Sequence, residues 1–157
     1  MNNNNNSVFF LAGPIRGAGN WRNDAIRLLS NSKVNIVSPD NEVNKTSGNV
    51  ITQSNCSRLD FERKYLLEAS VNGCIIFWLP AESKTNPRKD GQYARDTRFE
   101  LGEWITRHRL QNANVIIGME NEFPGASVIR KNVAAIAPDL HIYNKLEDMI
   151  ANLINKP

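Results

Sequence analysis

The segment Thr97-Arg-Phe-Glu-Leu-Gly102 contains the side chain best suited to covalent chemistry, the carboxylate of Glu100. Glu100 lies in the first turn of a predicted helix that follows a loop, where the positive end of the helix dipole favours a carboxylate. A carboxylate in this place is either a simple capping acid or a nucleophile that can attack C1′ of a sugar. Glu100 is therefore the candidate catalytic residue, and Thr97 is a candidate substrate-binding residue.

A glycine-rich loop, Gly13-Pro-Ile-Arg-Gly-Ala-Gly19, follows the first apolar run of the chain. Glycines between a strand and a helix let backbone N–H groups approach an anion at the start of the helix, although a plain tight turn also explains two of them. The spacing matches neither the dinucleotide fingerprint nor the phosphate loop of ATPases, so it indicates no NAD or ATP cofactor. Arg16 is the side chain that we expect to reach a hydroxyl or a phosphate of the ligand.

Three further segments contribute candidate substrate-binding residues. Asp40 follows the second predicted strand, and Asp60 and Tyr65 lie on the second predicted helix. A lysine four residues after Asp60 favours a solvated salt bridge on that helix, whereas Tyr65 can face the pocket. Arg95 belongs to a basic loop, residues 84–98, that is either solvated or binds phosphate.

Apolar runs and helical periodicity alternate along the 157 residues, a length that suits one domain. Strands are predicted at residues 7–12, 34–37, 74–79, 115–118 and 140–143, and helices after the N-cap candidate Asn20 and at residues 58–70, 97–110, 126–135 and 145–155. The core candidates of the second and third helices are Leu59, Leu66, Leu67, Ala69, Phe99, Leu101, Trp104 and Ile105. This alternation predicts a doubly wound α/β sheet of five parallel strands in a three-layer sandwich, with ligands beyond the carboxyl ends of the strands.

Composition excludes several classes of function. The formal charge is only +3 and no basic stripe is present, so we expect no nucleic-acid partner. Cys56 and Cys74 cannot form a disulfide framework, and the two histidines lie far apart, so neither a metal nor a cofactor is predicted. Residues 1–6, rich in asparagine, are predicted to be a disordered polar tail ahead of a single domain at residues 7–157. No signal peptide or apolar run of the ~20 residues needed for a membrane span is seen, so we expect a cytoplasmic protein that acts on a small molecule.

Several segments together resemble the nucleoside 2-deoxyribosyltransferase family, in particular its divergent deoxyribosyltransferase-like branch. The segments are Phe10-Leu-Ala-Gly-Pro14, Ser38-Pro39, Ile76-Phe-Trp-Leu-Pro80, Thr97-Arg-Phe-Glu-Leu-Gly102 and Val115-Ile-Ile-Gly118. The most specific element is Phe99-Glu-Leu-Gly102. The resemblance implies a flavodoxin-like sheet of five parallel strands and pockets built at subunit contacts, hence a homodimer or a higher homo-oligomer.

The resemblance also implies roles for individual residues. Glu100 is the expected nucleophile, which forms a ribosyl- or deoxyribosyl-enzyme before a second base or water takes the sugar. Gly13 and Pro14 are expected beside the glutamate and the sugar. Where this chain has Ala94, the family's free-nucleoside enzymes carry an aspartate and its monophosphate hydrolases carry a serine. The family's aspartate on the second helix falls four residues after Asp60, so Asp60 replaces it only with a shift in helix register.

The sequence therefore predicts cleavage or exchange of the N-glycosidic bond of a (deoxy)nucleoside or nucleotide. Two alternatives stay open. The basic side chains Arg16, Lys84, Arg88 and Arg95 favour a hydrolase of nucleoside 5′-monophosphates. The missing acid at Ala94 favours a catalytically silent nucleotide-binding sensor of the same fold.

Overall fold

Six short segments pair as one parallel sheet in the computed structural model, which describes residues 6–155 of the chain. The strands are β1 (Val8–Ala12), β2 (Asn35–Ser38), β3 (Asn49–Thr52), β4 (Gly73–Leu79), β5 (Val115–Met119) and β6 (Ile142–Tyr143). They lie in the order β3-β2-β1-β4-β5-β6, and each neighbouring pair is parallel. Residues 1–5 of the predicted tail lie outside the described residues.

Helices connect the strands and flank the sheet. They are α1 (Trp21–Leu29), α2 (Arg58–Asn72), α3 (Arg95–Gln111), α4 (Ala126–Ile136) and α5 (Leu146–Ile154). α1 packs against α5, α2 lies over β1 and β4, and α3 contacts α4 and β5. The predicted α/β class and flavodoxin-like three-layer arrangement are confirmed. Asn20 occupies the N-cap position of α1, but its side chain makes no capping hydrogen bond.

The sixth strand, β3, lies inside residues 41–57, for which the sequence predicts only a loop. It pairs with β2 from Asn35↔Asn49 to Ser38↔Thr52. The strand has four residues, of which only Val50 and Ile51 are apolar, so the apolar run is too short to indicate a strand from the sequence. The unpaired edge of β2 supplies the hydrogen bonds that hold it. Without this edge strand, the other five follow the flavodoxin-like order 2-1-3-4-5.

The core lies where the apolar strands are covered on both faces. In β4 every residue from Cys74 to Leu79 is buried, as the uninterrupted apolar run predicts. The buried helix residues include Leu66, Ala69, Leu101, Trp104 and Ile105, as predicted. The prediction was wrong for Leu59, Leu67 and Phe99, which are 64%, 50% and 71% exposed. These helices carry apolar residues on more than one side, so spacing alone does not tell which side meets the sheet.

The strand order reverses between β1 and β4. The chain runs from β1 to β2 on one side and from β4 to β5 on the other, so the loops at residues 13–20 and 80–94 diverge at this point. The backbone N–H of Ser83 joins the two loops by donating to the carbonyl of Gly17 at 2.7 Å. Gly17 has a φ of +77°, and a Cβ there would come within 2.8 Å of the Arg88 nitrogen, so the contact requires glycine. In doubly wound sheets, such a reversal opens a crevice for ligands.

Candidate active site

A cleft of about 770 Å³ opens at the reversal point of the sheet. It is lined by the end of β1 and the loop that follows, by the first half of α2, and by α3 with the loop before it. The residues from the sequence prediction that line it are Gly13, Pro14, Arg16, Arg95, Thr97 and Glu100. Asp40, Asp60 and Tyr65 do not line it. The fold thus brings together residues from three distant segments of the chain.

Glu100 lies partly buried on α3 and faces the cleft. The helix begins earlier than the sequence predicts, at Arg95, so Glu100 is in its second turn and Asp96 occupies the first. The helix dipole therefore favours the Glu100 carboxylate less than expected, because its effect is concentrated in the first turn. Within residues 6–155, the carboxylate makes no hydrogen bond or ion pair. It is free to meet a ligand.

The pKa of Glu100 is raised from 4.5 to about 7. Burial is the main cause, because it disfavours the charged carboxylate, and the negative charge of Glu62 is the second. The cations Arg58 and Arg63 oppose the rise, and Asp96 adds to it. Glu100 therefore gains and loses its proton near neutral pH, the range in which a carboxyl group is most useful for catalysis.

Charged residues of α2 that the sequence prediction missed form one wall of the cleft. Arg58 donates from Nε to Glu62 Oε1 at 2.9 Å, and the side chain of Glu62 is only 16% exposed. Arg63 donates from Nη1 to both carboxylate oxygens of Glu103 on α3, at 2.9 and 2.7 Å. Residues 58, 62 and 66 share one helix face, and the buried Leu66 turns that face toward the sheet. This four-residue spacing is the sequence feature that could have identified Glu62 as the second carboxylate of the cleft.

Asp40, Asp60 and Tyr65 serve the local structure around the cleft. The Asp60 carboxylate accepts a hydrogen bond from the Ser57 hydroxyl at 2.6 Å, and the Asp60 N–H donates to the same hydroxyl at 3.1 Å. This pairing caps α2 and takes the place of the expected salt bridge to Lys64. The Tyr65 ring packs on a phenylalanine ring of the preceding turn at 4.9 Å. Asp40 accepts from the backbone N–H two residues further along, at 3.0 Å, which stabilises the turn after β2.

The two arginines that were expected to bind substrate are exposed and paired with acids. Arg16 forms an ion pair with Asp90, which links the loops after β1 and β4. Arg95 donates from Nε to the neighbouring Asp96 at 3.1 Å. The four side chains are 61% to 77% exposed. Because exposed pairs of this kind contribute only about 0–1 kcal/mol, an anionic ligand can compete for either arginine.

The cleft wall at Gly13 and Pro14 depends on the close approach of the backbone to neighbouring groups. A Cβ on Gly13 would come within 2.4 Å of the Trp78 carbonyl oxygen and 2.7 Å of the Trp21 ring, so only glycine fits. On the other wall, Ala94 is buried and adopts a left-handed conformation, with φ +56°, just before α3. Its methyl group presents no acid to the cleft.

Comparisons of the chain with family models, with curated proteins and with solved structures found no match. Among residues 6–155, no group of three His, Cys, Asp or Glu side chains is placed so that it could hold a metal ion. None of the helices in this part of the chain combines the length and the apolar character needed to cross a bilayer.

Proposed function

We propose that the protein cleaves or exchanges the N-glycosidic bond of a nucleoside or nucleotide, with Glu100 as the nucleophile. The proposal is carried by the state of Glu100, a partly buried carboxyl group in the cleft with a pKa of about 7 and no hydrogen-bond partner among residues 6–155. The cleft has the size of a small-molecule site. The resemblance of residues 97–102 to the deoxyribosyltransferase motif points to the same residue.

In the proposed reaction, a carboxylate oxygen of Glu100 attacks C1′ of the sugar while the bond between C1′ and the base nitrogen breaks. The electron pair of that bond goes to the base, which takes up a proton from the solvent, and an ester joins the sugar to Glu100. Water or a second base then attacks C1′, gives up a proton to the solvent and releases the carboxylate. Positive charge develops on the sugar in both steps, so the shielded carboxylate of Glu62 in the same cleft favours them.

The test is incubation with a panel of nucleosides and 5′-monophosphates, with and without an acceptor base, with free base measured by chromatography. Glu100→Ala and Glu100→Gln should abolish base release, and Glu122→Gln, at an exposed position, should keep the wild-type rate. A Glu100→Ala protein that retains more than about a tenth of the activity contradicts the proposal, because losing a nucleophile costs several kcal/mol of barrier. Nucleotide binding without any base release favours the silent sensor.

The pH dependence separates two roles for Glu100. A nucleophile must be ionised, so kcat/KM should rise with pH through about 7, the pKa of the group. A proton donor must be protonated, so the same profile would fall through that pH. If kcat/KM of the wild type falls as the pH rises, and Glu100→Gln removes this dependence, Glu100 is a proton donor. That outcome would contradict the proposed covalent step.

Hydrolysis of nucleoside 5′-monophosphates is the second candidate, favoured by arginines in the cleft. The basic lining residues are Arg16, Arg58, Arg63, Arg88 and Arg95, and the acidic ones are Glu62, Asp90, Asp96 and Glu100. The excess of positive charge in the cleft is small, so phosphate binding depends on the exposed side chains. Arg16 and Arg95 can exchange a carboxylate partner for a phosphate. Comparing kcat/KM for a nucleoside and its own monophosphate distinguishes the two candidates.

A further inference from the structure

Arg22, the second residue of α1, is a charged side chain buried in the interior. Only 4% of it is exposed. Burial lowers its pKa to about 10, so the guanidinium remains cationic at neutral pH. A buried cation destabilises the folded state unless other groups replace its hydration.

The guanidinium donates to three carbonyl groups at the end of β1 and in the loop that follows. Arg22 Nη1 donates to Pro14 O at 2.9 Å, and Nη2 donates to Gly13 O at 2.7 Å and to Leu11 O at 3.3 Å. The guanidinium lies 4.4 Å from the centroid of the Trp21 ring, and Trp21 Nε1 also donates to Pro14 O, at 3.1 Å. This planar set of donors holds the backbone of the cleft wall at Gly13 and Pro14.

The positive charge of Arg22 also reaches the acids of the cleft. Within residues 6–155, no carboxylate lies within ion-pair distance of it. The charged and titratable groups that act on it at longer range are Asp40 after β2, Arg58 and Glu62 on α2, Tyr93 in the loop before α3, and Glu100 on α3. Asp40 favours the cation most among the acids, and Arg58 opposes it. Because Coulomb interactions are reciprocal, the cation favours the ionised form of Glu100, but less than Arg58 and Arg63 do, which are the cations that act most on that carboxylate.

We propose that Arg22 is a positioning residue of this site, which holds the cleft wall at Gly13 and Pro14 and places a buried positive charge behind that wall. The inference rests on the proposed function. The Arg22 side chain makes two contributions, the fork of hydrogen bonds and the positive charge. Arg22 contacts the backbone carbonyl groups behind the cleft wall, so it acts on the shape of the site. Its loss should therefore change kcat more than KM.

Two variants, compared both in kcat and in the titration of Glu100, separate these contributions. Arg22→Lys keeps the charge and loses the planar fork, and Arg22→Met removes both. We expect kcat to fall about 10- to 100-fold in each, because a displacement of ~1 Å in a site costs up to that factor. Arg27→Met is the matched control, an exposed arginine on the same helix that pairs with Asp24 at 3.4 Å, and it should keep the wild-type kcat. Urea unfolding establishes that each variant is folded in the assay.

The ionisation of Glu100 provides a readout that does not need turnover. In protein with ¹³C-labelled glutamate side chains, the Glu100→Gln variant identifies the Glu100 resonance, and its titration gives the pKa. Arg22→Met should raise this pKa above the wild-type value, whereas Arg22→Lys should leave it near the wild-type value. Arg27→Met should leave it unchanged.

A purely structural role makes different predictions. Folded Arg22 variants with wild-type kcat and an unchanged Glu100 titration, but a lower free energy of unfolding, would overturn the proposal. If Arg22→Met does not fold, Arg22→Lys alone tests the proposal. A wild-type kcat in Arg22→Lys contradicts the role of the fork. If the wild-type protein cleaves nothing on the panel, the proposed function fails, and the titration still tests whether Arg22 favours ionised Glu100.

Discussion

Replacing Glu100 by glutamine should stabilise the protein at neutral and alkaline pH, because it removes a carboxyl group whose ionisation the folded state resists. The pKa is about 7 in the folded chain, against an ordinary value of 4.5. At pH values below the ordinary pKa, the group is protonated in both states and contributes nothing. As the pH rises from 4.5 toward about 7, the unfolded chain loses the proton first, so the free energy of unfolding falls, and the loss is complete above about 7.

The magnitude follows from these two pKa values. At about 1.4 kcal/mol for each pH unit, the difference between 4.5 and about 7 corresponds to about 3 kcal/mol as an upper bound. Water in the open cleft screens part of this, so we expect Glu100→Gln to gain about 1–2 kcal/mol at about pH 8 and nothing at about pH 4. In a chain of this size, the gain raises Tm by about 2–8 °C.

Urea unfolding of wild type, Glu100→Gln and Glu122→Gln at both pH values measures this effect. Glu122 is exposed and serves as the control, whose stability should follow that of wild type. Equal stabilities of wild type and Glu100→Gln at both pH values would refute the reasoning that burial in the cleft opposes ionisation. An equal gain at both pH values would assign the gain to a cause other than the charge.

The remaining predictions concern the substrate, the backbone and the assembly. Arg95→Ala should raise KM for a monophosphate and barely change cleavage of the matching nucleoside; equal losses on both substrates contradict a phosphate contact. Gly13→Ala should lower the free energy of unfolding by ~2 kcal/mol or more, because its Cβ would overlap a backbone carbonyl. Gly102→Ala should raise the free energy of unfolding by up to ~1 kcal/mol, because a Cβ at this helical position meets no neighbouring atom within 4 Å. Light scattering should show at least a dimer that Phe99→Ala weakens, since Phe99 lines the cleft and is 71% exposed. A fully active wild-type monomer contradicts that assembly.

Much of the fold and part of the site could be predicted because their signals are local. The apolar run at Cys74–Leu79 indicates a strand covered on both faces, and the structure has that strand at the centre of the sheet. The alternation of strands and helices is enough to predict a parallel sheet, since parallel strands need crossover connections, whereas the place where the strand order reverses comes from the structure. Glu100 could be predicted to lie near the strand ends because its motif is contiguous and belongs to the helix that follows the central strand, although it lies in the second turn of that helix and not in the first.

The second carboxylate and the buried cation could not be predicted in the same way. Asp60 and Glu62 are two residues apart on α2, and only the packing of that helix on β1 and β4 places Glu62 in the cleft and leaves Asp60 at the cap. Arg22 follows a tryptophan at the start of an amphipathic helix, a place where arginine is usually exposed. Its burial depends on carbonyl groups of β1 and of the loop that follows β1.

The sequence by itself determined the α/β class, the doubly wound sheet and the position of Glu100 beside a strand-end loop, because each depends on patterns within a few neighbouring residues. Tertiary structure alone decided that β3 joins the edge of the sheet, that Phe99 stays exposed and that the pKa of Glu100 rises to about 7. The physical reason is that edge pairing, burial and electrostatic potential are sums over groups far apart in the chain. Glu62 acts on Glu100 because the fold brings α2 and α3 to one cleft, and Arg22 on α1 reaches the wall of that cleft through its hydrogen bonds to Gly13 and Pro14.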